Sequence, residues 1–265
     1  MSVYQLILEL VGKDRGATTA LKSVKKEAMG LEQAAQKLQG GLAAAAGIAG
    51  MAYMGKQALD LVSDLYMLGA QALRTETAFE DLARGAGGSA DAILQAIKKA
   101  SGGTVSEMDA MAAANRGILL GLGANAEQWG QLTEIARVRG RAMGLTVSQA
   151  LSDITTGLGR QSAMILDNLG IVLDMDQVMK DYATSLGTTA DNLDNAQKKQ
   201  ALLNAVIKEG QGLIPAGGIA PDAADSVEAL GAAWQDVKTA IGESLAKSET
   251  LKQIFIELAA VLRGE

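Results

Sequence analysis

Neither cysteine nor histidine occurs in this chain of 265 residues. Their absence removes thiolate nucleophiles, disulfide frameworks, zinc sites of the Cys/His kind and imidazole general bases in one step. Proline is almost missing too: Pro215 and Pro221 are the only two. Since proline is the residue a helix interior tolerates least, long uninterrupted stretches are free to be helical, and the chain reads as all-α. Aromatic residues make up 3% of the sequence. A core must therefore be assembled from Leu, Ile, Val, Met and Ala at close helix spacing, without the bulky filling typical of pockets. No run reaches the ~18 to 20 strongly apolar residues that a membrane-spanning helix needs. The uncharged segment Leu42 to Gly55 is mostly Ala and Gly. A secretory leader is not expected, because Val3 to Val11 lacks a basic region before it and is followed at once by Lys13, Asp14 and Arg15. The net charge of −6 opposes sequence-independent nucleic-acid binding, which depends on Lys and Arg displacing counterions. Met1 to Lys56 is locally positive, with seven basic and four acidic side chains.

What is present is 48% hydrophobic and 20% charged, the composition of an ordered, core-forming chain. Val3 to Val11 alternates, with Tyr4, Leu6, Leu8 and Leu10 on one side, which predicts one short N-terminal strand. Leu21, Val24, Ala28, Leu31, Ala35, Leu38 and Leu42 then recur at spacings of three and four, the seam of a coiled coil. In the segment that follows, Ala43 with Gly47, and Ala46 with Gly50, set small residues four apart for close helix contact. Residues 1–72 are accordingly expected to form a strand, a helical rod and an Ala/Gly-rich segment.

From residue 73 to 209 the breakers come at short intervals, at Gly85 to Gly88, Gly102-Gly103, Gly121 to Gly123 and Gly157 to Gly159. This spacing predicts a compact domain of six to eight short helices. Ser106 with Asp109, Thr146 with Gln149 and Asp194 with Gln197 mark helix starts, and Gly187 and Gly210 stand where C-terminal caps belong. Residues 210–221 hold both prolines and four glycines with no charged side chain, so they read as a linker. Within 222–265, Val227, Leu230, Trp234, Val237 and Ile241 resume the seam spacing, and Leu251, Ile254, Leu258 and Val261 repeat it. The fold expected is thus heptad-patterned helices flanking a compact multi-helix domain.

Candidate chemistry is thin. Gly157-Leu158-Gly159-Arg160 lacks the preceding strand and third glycine of a dinucleotide loop, and reads as a helix-breaking turn. Gly55-Lys56 continues with Gln57 and is no phosphate loop. Ser23 with Lys26 and Ser244 with Lys247 match S-x-x-K by spacing alone. Glu243 lies on a heptad helix without an aromatic cleft, so it reads as a solvated carboxylate rather than a glycosidase acid. Arg137 and Arg141 share a helix face and Arg139 points away, which favours solvated or ion-paired arginines over a nucleic-acid patch. No residue is assigned a catalytic, cofactor-binding or metal-binding role, and no enzymatic activity is expected.

The run Gly157-Leu158-Gly159-Arg160-Gln161-Ser162, followed by Ile165-Leu166-Asp167-Asn168-Leu169-Gly170-Ile171, resembles one found in tail tape measure proteins of long-tailed bacteriophages. Glu76 to Phe79 with Leu82 and Gly85, Ala113 to Arg116, Arg139 to Gln149, and Lys198 to Ala205 are similar to that family in the same order. The likeness runs from about Leu73 to Glu209. It implies a helical structural protein of the tail tube that sets tail length and takes part in tail assembly and DNA ejection. It is made in the bacterial cytoplasm and ends in the virion tail. The implied partners are the tail tube protein, tail-tip proteins and tail assembly chaperones; the seam from Leu21 to Leu42 separately predicts self-association through helical rods. Within the motif, Arg160, Asp167 and Asn168 are candidates for partner contact, although a turn network near Gly170 accounts for them more simply. Family members are usually much longer, so an N-terminal portion or a short relative is implied; a fully helical chain of this length reaches at most ~400 Å. Two rival readings are a membrane-active helical module built on the rod and Ala/Gly segment, with transient membrane contact, and a non-enzymatic helical interaction scaffold.

Overall fold

The first backbone N–H groups of a helix have no partner within it, and in this chain short polar side chains take them up. Ser89, Ser106, Asn125, Thr146, Ser162, Asp174 and Asp194 each accept from the N–H three residues on. At Asn125, Thr146 and Asp194 a glutamine side chain returns a bond to the cap backbone, closing capping boxes with Gln128, Gln149 and Gln197. The starts expected at Ser106, Thr146 and Asp194 are all found.

The computed structural model describes residues 56–215, 218–249 and 252, and among these the chain is all-α with no strand. The helices are α1 (Lys56–Gly85), α2 (Ala90–Ser101), α3 (Glu107–Leu119), α4 (Ala126–Met143), α5 (Val147–Gly159), α6 (Ala163–Asp167), α7 (Met175–Ser185), α8 (Asn195–Gln211) and α9 (Ala223–Ala246). A single 3-10 turn at Ala190–Asn192 separates α7 from α8. The strand over Val3 to Val11, the seam from Leu21 to Leu42, the Ala/Gly segment from Leu42 to Gly55 and the seam from Leu251 to Val261 lie outside the described residues.

Two compact units divide the chain, one spanning Leu68–Glu243 and the other made of Met1–Met67 and Ser244–Glu265. Helix α1 passes through position 73 without interruption. In the larger unit α4 packs on α2, α5 and α8, while α5 also receives α3 and α6. The core these helices enclose includes Phe79, Ile97, Trp129, Leu132, Ile135, Leu151, Ile154, Leu158, Leu166 and Leu202, all almost fully buried. Burying each such side chain contributes about 1.5–3 kcal/mol, so this cluster dominates the unit's stability. With so few aromatics, glycines supply the close approaches. Trp129 lies against Gly117, where an added Cβ would stand 2.6 Å from the ring edge.

Two glycine readings are corrected. Gly157 and Gly159 do not break the helix; they form the buried last turn of α5. Gly157 faces Leu166 and Ile165, and Gly159 faces Leu120, so both are small because neighbouring side chains occupy the space. The turn itself follows at Gln161, a non-glycine residue with φ of 51°. Gly210 likewise is no cap: α8 runs on to Gln211, and Gly210 sits buried against the side chain of Ile135. Gly187 does follow the end of α7 in the left-handed conformation, φ 68°, as a C-terminal glycine should. Replacing Gly157 with Ala is expected to destabilise the unit. The Cβ would lie 2.8 Å from Leu166 Cδ2 and 2.9 Å from Cγ. Overpacking costs about 1–3 kcal/mol, against a gain of at most ~1 kcal/mol from helix propensity. A lowered urea midpoint is the expected readout, and a raised one would show that Leu166 yields freely.

Candidate functional site

The one strongly buried charge cluster among the described residues joins the end of α4 to the start of α9. On α4, Arg137 and Arg141 are one helical turn apart and project the same way, as their spacing requires. Asp222 immediately precedes α9 and accepts from the N–H of Asp225 at 2.9 Å, which fixes the first turn of the helix. The Nη2 atoms of Arg137 and Arg141 each donate to Asp225 Oδ2 at 2.6 Å. Arg141 Nε lies 3.2 Å from Asp222 Oδ2, and its Nη2 also donates to the carbonyl of Ala220 at 3.2 Å. One carboxylate oxygen therefore bridges two guanidinium groups, and a second carboxylate holds the outer one. Arg137 and Asp225 are both 8% exposed, so solvent screens their attraction little.

Burial by itself would raise the Asp225 carboxyl. The hydrogen bond and charge of Arg137, the charge of Arg141 and a backbone bond at Asp222 outweigh it, holding Asp225 below the ordinary carboxylate value. A general acid needs the opposite, a carboxyl kept protonated near neutrality. Chemically the cluster is suited to clasp two helices together. Its stabilisation is complete above the usual aspartate range near 3.9 and is lost as pH falls through the lower folded value. Between pH 5 and 2 the urea midpoint is expected to fall, and Asp225→Asn should reduce that fall. A variant retaining the full acid slope would show that other carboxylates carry it.

Beside the clasp an open groove of about 400 Å³ runs between α2 and α4, lined among others by Ala96, Lys99, Gly130, Glu134, Arg137 and Ile219. Its lining mixes both signs of charge with small residues, with no convergent set of polar atoms. No group of three or more Asp or Glu is placed to hold a metal ion among the described residues.

The remaining candidates are dispersed. Arg160, Asp167 and Asn168 are exposed on the turns flanking α6. The turn that holds Asp167 and Asn168 is made by backbone bonds, from Gly170 N to the Asp167 carbonyl and from Ile171 N to the Leu166 carbonyl. It is Leu166, Leu169 and Ile171, the apolar residues of the motif, that are buried. Arg139 points away from the clasp toward Gly170, as its offset from Arg137 and Arg141 predicts. Glu243 is half-buried near the end of α9, not fully solvated, because its backbone passes against Gly69 of α1. Ser244 follows it on the exposed side, and Ser23 and Lys26 are outside the described residues. The sequence places the arginines on one face but says nothing of Asp225, since an acidic residue in the first turn of a helix has the generic signal of a dipole partner. No family model matches the chain, and no solved structure matches it.

Proposed function

We propose that this chain is a bacteriophage tail tape measure protein or its N-terminal portion, a non-enzymatic structural component of the tail that acts through shape and assembly. The reading rests on the collinear stretches between Glu76 and Ala205, with the run from Gly157 to Ile171 as the strongest. The apolar residues of that run are the ones that close the core between α5 and α6, so the motif carries a folding role. Its exposed residues Arg160, Asp167 and Asn168 are left as the positions for contact with tail-tube, tail-tip or chaperone proteins. Support for a non-enzymatic role comes from the clasp, in which Arg137 and Arg141 hold the Asp225 carboxyl below its ordinary value. The rival membrane-active reading rests on Leu42 to Gly55, outside the described residues. Among the described ones no helix is long and apolar enough to cross a membrane.

The test is to purify tails from a cell carrying the surrounding gene cluster and to identify their proteins by mass spectrometry. The chain is expected in intact tails, and removal of its coding sequence should leave no tails of uniform length. Normal tails formed without it would refute the proposal.

A further inference from the structure

Helix α9 meets the bundle on an unusual side. Its buried residues are Asp225, Ala232, Thr239 and Gly242, a stripe of polar and small side chains whose first three members are seven apart. The heptad-spaced apolar residues fall elsewhere. Trp234, nine positions after Asp225, lies about 180° round the helix. Val227 is 68% exposed and Val237 40% exposed. The core cluster contains no residue of α9.

Carboxylates take the place of apolar burial. Asp225 grips Arg137 and Arg141 of α4 as described. Glu228 accepts from the backbone N–H of Val147 at 3.3 Å, and Asp236 accepts from that of Glu107 at 2.8 Å. Val147 and Glu107 are the first residues of α5 and α3. There the local caps Thr146 and Ser106 have taken a donor two residues further in, leaving the first N–H open. Negative charge at these ends is also favoured by the helix dipole. Asp236 receives Lys98 Nζ of α2 as well, at 2.7 Å, and Glu107 shares that lysine at 3.5 Å. Three acidic side chains of one helix thus engage four helices of the bundle, each through a charge or a helix N-terminus.

We propose that α9 is a releasable strap: it is fastened by Asp225, Glu228 and Asp236, and undocks as a unit while α2 to α8 remain folded. Undocking uncovers Ala232, while Leu230, Trp234 and Ile241 are only half-buried and no residue of the core cluster belongs to α9. The uncharged linker before it, with Gly212, Pro215 and Gly218, tethers the strap, and among its described residues the bond from Arg141 to the Ala220 carbonyl must break with the clasp.

Hydrogen exchange of the full chain followed by mass spectrometry tests this. In the double variant Asp225→Asn with Asp236→Asn, amides of 223–246 are expected to exchange about tenfold faster or more, with those of α4 and α5 unchanged. The wild-type chain in sub-denaturing guanidinium provides a second measurement that does not depend on the variant folding. There the α9 amides should open at lower denaturant than the amides of Leu132, Ile154 and Leu202. Acceleration of α9 and the core together in either experiment, or unchanged protection of α9 in the variant, would overturn the proposal.

Discussion

Trp129→Ala is expected to cost about 3–5 kcal/mol, enough to leave the larger unit largely unfolded at moderate temperature. The indole is fully buried and is one of two tryptophans in the chain. Its ring fills the space that Gly117 leaves open, with the Thr155 methyl beside it. In a close-packed core the cavity term adds to the lost transfer energy. Thermal melting by circular dichroism should show a Tm lower by roughly 10 °C or more. A loss under about 1 kcal/mol would mean that the helices around Trp129 close up, contrary to the packing described. Because Gly117 and Trp129 touch, changes at the two sites should be non-additive, whereas Trp129 and the distant Asp225 should behave independently.

The second large effect lies inside the motif from Gly157 to Ile171. Leu166→Ala is expected to destabilise the unit by about 2–5 kcal/mol, since the side chain is fully buried and packs directly on Gly157. Asp167→Ala and Asn168→Ala, one and two residues on, should stay within about 0.5 kcal/mol, because their exposed side chains can be lost without disturbing the backbone-bonded turn. The contrast separates two jobs that the sequence runs together. If the polar pair proves as costly as Leu166, the turn depends on side-chain bonds and the assignment of these residues to partner contact loses its basis. Chemical denaturation of the three variants decides it.

How much of this was legible beforehand differs by element. The scarcity of proline and the capping pairs Thr146–Gln149 and Asp194–Gln197 disclosed an all-α domain and two of its helix starts, because caps are local and act over three residues. The box at Asn125–Gln128 has the same signature and was open to the same reasoning. Glycine misled at Gly157, Gly159 and Gly210. A glycine required by a left-handed turn and one required by a neighbour's side chain are identical in sequence, and only the fold reveals that Leu166, Leu120 and Ile135 stand opposite. The clasp was half visible: the spacing of Arg137 and Arg141 set their common face, but Asp225 is 84 residues beyond Arg141 and nothing local pairs them. The docking of α9 ran against pattern. Its 3,4 seam marks an apolar face, yet the bundle takes the opposite one, because carboxylates at Glu228 and Asp236 fit open N–H groups that periodicity does not register.

If the chain acts as a ruler, tail length must follow its helical length. Duplicating residues 21–48 adds 28 residues, four heptads, which at ~1.5 Å per residue extends a continuous helix by about 40 Å. Electron microscopy of tails assembled with this variant as their sole copy should show a uniform population longer by about that amount. Tails of unchanged length that nevertheless contain the lengthened chain would contradict the account.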